Sequence, residues 1–137
     1  TMGLLQVMPD TANEVMGFTA GSEESKQLDI LNPKTNAELG AVYLSRMLRR
    51  NDGQVEYALA SYNAGPAAVQ RWRSRLGAVP IDVFVEEIPY SETRDYVRRV
   101  LSWQQKYGFL DDARRQISTV TKRQPVQVNA VNRPISG

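Results

Sequence analysis

Prolines and glycines cut this chain into helix-length pieces, and within the pieces apolar residues recur at intervals of three and four. A chain so punctuated folds as several short helices rather than as a sheet. The clearest piece starts at Asn32-Pro33, a side-chain cap followed by a residue suited to the first helical position. Leu39, Val42, Tyr43 and Met47 then form a stripe, with Leu44 and Leu48 beside it. Arg46, Arg49 and Arg50 lie on or near the other side, where cations in the last turn suit the helix dipole. Asn51-Asp52-Gly53 ends the piece, and Gly40 inside it suggests a close helix contact.

The other pieces follow the same logic. Pro9 suits a first turn, with Thr11 and Glu14 spaced as an alternative capping-box start; Val15 and Met16 continue the apolar face, and Gly17 is a natural stop. Residues 18–28 read as loop. Val55, Ala58, Leu59 and Tyr62 mark a short helix broken by Asn63-Ala64-Gly65. Pro66 starts the next, through Val69, Trp72 and Leu76 to Gly77. Another short helix runs from Pro80 and Asp82 through Phe84 to Ile88, and Pro89 ends it. Ser91 or Glu92 opens the last, through Tyr96, Val97, Val100, Leu101, Gln104 and Tyr107 to Gly108. Only residues 124–131 alternate like a strand, weakly. The expectation is one all-α domain, an irregular bundle of about five to seven helices, many of them short.

Charge and composition narrow the chemistry. The 137 residues include no Cys and no His, which excludes thiol nucleophiles, Ser-His triads and the common zinc sites. Carboxylates, tyrosines, lysines and amides remain. The net charge of +2 hides an asymmetry: residues 1–113 carry 12 cations against 15 acids, whereas 114–137 carry five cations and no acid. The body is therefore not a basic nucleic-acid surface. The tail reads as a solvated, flexible segment or as a strip for an anionic partner of unknown identity. No run of eighteen apolar residues suggests a membrane span.

Three polar features stand out at the helix breaks. Gln6 is a lone amide in the apolar stretch Gly3-Leu4-Leu5-Gln6-Val7-Met8-Pro9. By itself it reads as a structural amide at a helix entry, with Met8 as core filler. Tyr62 lies on an apolar stripe, and so reads as a core aromatic with its hydroxyl at the edge. Asn63 reads as a left-handed cap. Glu86, Glu87 and Glu92 bracket the break at Pro89; Glu92 is an ordinary helix-start acid or a carboxylate turned into a cleft, with Thr93 and Arg94 placed to fix its rotamer or pair with it. The alternative for all three features is one glycan groove, because sugars need aromatic platforms together with amides and carboxylates on rigid elements.

Taken in order, these stretches resemble the soluble lytic transglycosylases. Gly3 to Ala12 is similar to that family's Gly-Leu-Met-Gln-x-Met-Pro-x-Thr-Ala segment, with Leu5 where Met is usual. Ala60-Ser61-Tyr62-Asn63-Ala64-Gly65-Pro66 resembles its Ala-Tyr-Asn-Ala-Gly segment, and Glu87 to Val97 its third. Asp29 to Pro33 and the helix after it also fit, so the resemblance covers about residues 3–110. It implies a lysozyme-like fold around a peptidoglycan groove, a domain over residues 1–110 and a basic, flexible tail over 111–137. It also implies a site in the bacterial periplasm or envelope, no cofactor and no metal. The implied reaction cleaves the β-1,4 bond between N-acetylmuramic acid and N-acetylglucosamine without water. One Glu acts as acid and then as base, leaving a 1,6-anhydro sugar. The residues it marks as substrate-binding are Gln6, Met8, Tyr62, Asn63 and Glu92. The family's catalytic Glu stands in a Glu-Ser pair ahead of the Gly-Leu-Met-Gln segment, and none of Glu14, Glu23, Glu24, Glu38, Glu56, Glu86, Glu87 or Glu92 matches it. It is expected upstream of Thr1, and the chain alone is expected to be weakly active or inactive. The alternative is a non-catalytic peptidoglycan-binding module of the same fold.

Overall fold

The computed structural model describes residues 9–28, 32–111 and residue 115, with side chains from residue 11 onward. Gln6, Met8, residues 29–31 and the weakly alternating stretch 124–131 lie outside the described residues.

Seven helices are present among the described residues: α1 Pro9–Met16, α2 Glu23–Gln27, α3 Pro33–Arg50, α4 Val55–Ala64, α5 Pro66–Leu76, α6 Ile81–Glu86 and α7 Ser91–Tyr107. The fold is all-α, as the punctuation predicts. Local chemistry explains most of the ends. Asn32 Oδ1 accepts from the backbone of Lys34 at 2.9 Å and Thr35 at 3.3 Å, and Pro33 occupies the first turn of α3. Gly108 closes α7 in the left-handed region at φ 64°. Gln104 reinforces that end: its Oε1 accepts from Leu110 N at 2.7 Å, and its Nε2 donates to Asp111 Oδ1 at 2.6 Å.

The core forms around α4, which packs against α3, α5 and α7. Five of its ten residues are buried: Val55, Ala58, Leu59, Ala60 and Ser61. Small residues at three of those positions let neighbouring helices approach closely. Around them close Tyr43, Met47 and Leu48 of α3, Val69 and Trp72 of α5, Phe84 of α6, and Tyr96, Val97 and Val100 of α7. A smaller cluster joins Ala12 of α1 to Leu39 of α3.

Three expectations need correcting. Residues 23–27 form α2 rather than loop: Ser22 Oγ accepts from Ser25 N at 3.1 Å, and Glu23 and Glu24 sit in a first turn that favours acids. Helix α1, by contrast, starts at Pro9 as expected, rather than at the Thr11 alternative. Val42 leaves the buried stripe of α3 and is 45% exposed, because Leu44 and Leu48 carry the inward face instead. Met16 is likewise exposed.

Candidate functional site

The break between α4 and α5 is one residue long. Gly65 ends the first helix and caps the second at φ 95°, ψ 146°, a backbone region for which glycine alone carries no penalty. Its N–H donates to Ser61 O at 2.8 Å, and Pro66 begins α5 at once. Tyr62 and Asn63 are thus carried in the last turn of α4. Asn63 is helical, so it is not the left-handed cap expected from its position before Ala64-Gly65; Gly65 takes that strain.

Tyr62 is half-buried and lies between two other tyrosines. Its ring centroid is 5.4 Å from that of Tyr43 on α3, tilted by 58°, and 6.4 Å from that of Tyr96 on α7, with planes 9° apart. Tyr43 and Tyr96 were assigned on stripe position to the core alone; no signal in the sequence marked them as neighbours of the polar break. Burial raises the pKa of all three hydroxyls. Tyr96 is pushed up to about 12 by desolvation, with Arg99 pulling the other way. Tyr62 is raised further, by desolvation and then by Tyr96 and Tyr43. Tyr43 is raised by desolvation and by Glu14, against Arg50 and Arg46. These hydroxyls stay protonated at neutral pH and act as hydrogen-bonding groups, not as phenolate bases.

The third segment meets the second here. Thr93, buried in the first turn of α7, donates its hydroxyl to Asn63 Oδ1 at 2.7 Å. Glu92, beside it, is exposed. Arg94 does not serve Glu92 as expected: its Nη1 donates to Ile88 O at 2.8 Å, and so closes the turn between α6 and α7. Thr93 likewise serves Asn63, not Glu92. The structure therefore joins Tyr62, Asn63 and the start of α7 in one place.

None of the eight glutamates is buried; Glu56 is half-buried and the other seven are exposed. Among the described residues no three His, Cys, Asp or Glu side chains converge as metal ligands. An open cleft of about 680 Å³ lies elsewhere, along α3, α4 and α5, lined by Arg50, Gln54, Tyr57, Ser61, Gln70 and Arg73 among others. Tyr62, Asn63 and Glu92 do not line it.

The helices, with α4 at the centre and its polar end meeting the start of α7, form an all-α, lysozyme-like fold. The chain belongs to the transglycosylase SLT domain family, whose model matches residues 1–85. It is 35% identical over 108 residues to the soluble lytic murein transglycosylase of Escherichia coli (strain K12), covering 78% of this chain and 17% of that protein. It is 36% identical over 106 residues to the enzyme of the same name from Salmonella typhimurium, covering 77% of this chain and 16% of that one. The crystal structure of an inactive glutamate-to-glutamine mutant of the lytic transglycosylase Slt from Pseudomonas aeruginosa superposes with a TM-score of 0.62 at 41% identity. That match covers 81% of this chain and 18% of that one. The chain thus spans less than a fifth of the length of each of these relatives.

Proposed function

We propose that this domain forms the glycan-holding part of a peptidoglycan lytic transglycosylase that cuts the bond between N-acetylmuramic acid and N-acetylglucosamine and leaves a 1,6-anhydro end. The observation that carries the reading is the meeting of two motif segments thirty residues apart, through the 2.7 Å hydrogen bond from Thr93 to Asn63. That contact supports one continuous surface in which Tyr62 offers an aromatic face and a neutral hydroxyl, Asn63 an amide and Glu92 an exposed carboxylate. By resemblance alone, Gln6 and Met8 of the first segment are proposed as an amide donor and an apolar wall for the same ligand. The surface suits a neutral, hydroxyl-rich ligand with amide substituents better than a phosphate backbone. Peptidoglycan places the site of action in the bacterial periplasm or envelope, and among the described residues no helix is long and apolar enough to cross a membrane. Residues 1–110 are proposed to act as the domain, with 111–137 as a basic segment that follows it.

The catalytic acid is proposed to come from sequence upstream of Thr1, because none of the eight glutamates matches the family's Glu-Ser pair and none is buried. The same observation favours a second reading, in which the chain binds glycan without cutting it. Incubating purified peptidoglycan with the parent protein separates the two. Anhydro-muropeptides, identified by mass, support the enzyme. Reducing ends formed by hydrolysis overturn the transglycosylase assignment, and bound but uncut glycan supports the binding module.

A further inference from the structure

The α3–α4–α5 cleft has a chemistry that the sugar site leaves unused. Two guanidinium groups, Arg50 and Arg73, line it, and no acid does. Among the described residues neither arginine forms a salt bridge. An adjoining groove shares Gln70 and Ser74 with the cleft and adds Arg71 and Arg75, again without an acid. This basic face stands on a body whose acids outnumber its cations. Its floor is fixed: the Tyr57 ring meets the buried Phe84 ring edge to face, centroids 4.7 Å apart. Arg73 lies over the Tyr57 ring at 3.8 Å and is exposed, and a guanidinium stacked on a ring keeps its N–H edges for a carboxylate. Exposed Gln54 and Gln70 add amide donors and acceptors. The cleft also begins beside the sugar site. Its lining includes Ser61 and Pro66, the residues that bracket Tyr62 to Gly65. From Ser61 back to Gln54 the chain runs about 10 Å at helical rise, the span of about three extended peptide residues.

We propose that this cleft takes the acidic peptide stem carried by N-acetylmuramic acid, with Arg50 and Arg73 pairing with its free carboxylates and Gln54 and Gln70 with its backbone amides. This rests on the groove reading above, which seats the sugar at Tyr62 and Asn63. None of these four residues lies in the three segments that carry the resemblance. A phosphodiester polymer would also meet the arginines, but it has no amides for the glutamines and no attachment to a sugar held next to Ser61. Exposed side chains over a fixed floor suit a flexible peptide, as they do not suit a rigid sugar.

The test measures, by calorimetry at low ionic strength, the affinity of the full chain for three probes. These are tri-N-acetylchitotriose, a disaccharide-tetrapeptide muropeptide, and the same muropeptide with its carboxylates amidated. Wild type is expected to bind the acidic muropeptide about tenfold more tightly than the amidated one, and added salt to narrow that preference. Arg50→Gln and Arg73→Gln are each expected to lower the preference about threefold, and the double variant to abolish it, with affinity for the trisaccharide unchanged. Both arginines are exposed, so the variants are expected to fold. If wild type binds the trisaccharide but does not distinguish the two muropeptides, or if the double variant keeps the preference, the inference is overturned and the groove reading stands. Tighter binding of poly(glycerol phosphate) than of the acidic muropeptide, lost in the double variant, would give the cleft to a phosphodiester polymer and also overturn it. If wild type binds none of the three sugar probes, the groove reading falls and takes the inference with it.

Discussion

Two polar surfaces flank α4, and they are built differently. At its C-terminal end, Tyr62 and Asn63 are fixed by ring contacts to α3 and α7 and by a hydrogen bond from a buried threonine. Along the α3–α4–α5 face, the cleft is framed by longer side chains: the Arg73 guanidinium lies 3.8 Å from the Tyr57 ring centroid, and Arg50 and Gln54 are exposed. The first surface is fixed by ring packing and a hydrogen bond from a buried side chain. The second is shaped by side chains that reorient cheaply. Recognition of a sugar depends on donors held in place before binding, and the junction meets that condition where the cleft does not.

The contrast can be broken at four points. The largest effect is expected from Tyr62→Ala, which removes the ring shared by Tyr43 and Tyr96. A half-buried position implies about 2–3 kcal/mol of lost stability by denaturant melt, below the about 3–5 of a fully buried aromatic, together with lost glycan binding. A comparable loss is expected from pH alone. Tyr96 holds its proton to about 12 in the fold, against 10.0 for the ordinary side chain. The folded state then binds more protons than the unfolded one between those values. Stability is fully present below pH 10.0 and is lost as pH rises towards 12, by up to about 3 kcal/mol. Tyr96→Phe should flatten that part of the stability–pH curve; an unchanged slope would contradict the buried junction.

Gly65→Ala comes third. Nothing lies within 4 Å of the added methyl, so the cost is backbone strain at φ +95°, about 1–3 kcal/mol by melt. Arg73→Ala is the smallest. Losing one exposed cation–π contact should cost about 0.5–1 kcal/mol and leave glycan affinity unchanged. A large drop in affinity in that variant would move recognition to the cleft.

The helix ends were legible where chemistry is local. Asn32-Pro33, Gly65-Pro66 and Gly108 each announce a cap or a start through residues adjacent in sequence. Helix α2 was not legible, because its five residues bury nothing and leave no apolar stripe to find. Val42 misled because the apolar stripe of α3 is broad and packing chose Leu44 and Leu48 instead. Of the site, the motifs named Tyr62, Asn63 and Glu92 on resemblance, whereas spacing alone favoured a core aromatic and a cap. Which partners Thr93 and Arg94 choose is a tertiary fact. Both were assigned to Glu92, an acid close by in sequence, yet the fold gives one to Asn63 and the other to Ile88 O.

The one-residue joint at Gly65 has a mechanical consequence. With a single pair of torsions between them, α4 and α5 have no independent headings, and the direction of the second is dictated by the first. That heading carries Trp72 to Tyr90, where the rings meet edge to face with centroids 5.0 Å apart. Tyr90 directly precedes α7, so a steering angle set at the end of α4 is read again at the beginning of the helix that holds Thr93. Adding one residue at the joint would give α5 two more torsions and release that linkage. At this point the number of residues constrains the molecule more tightly than their identity.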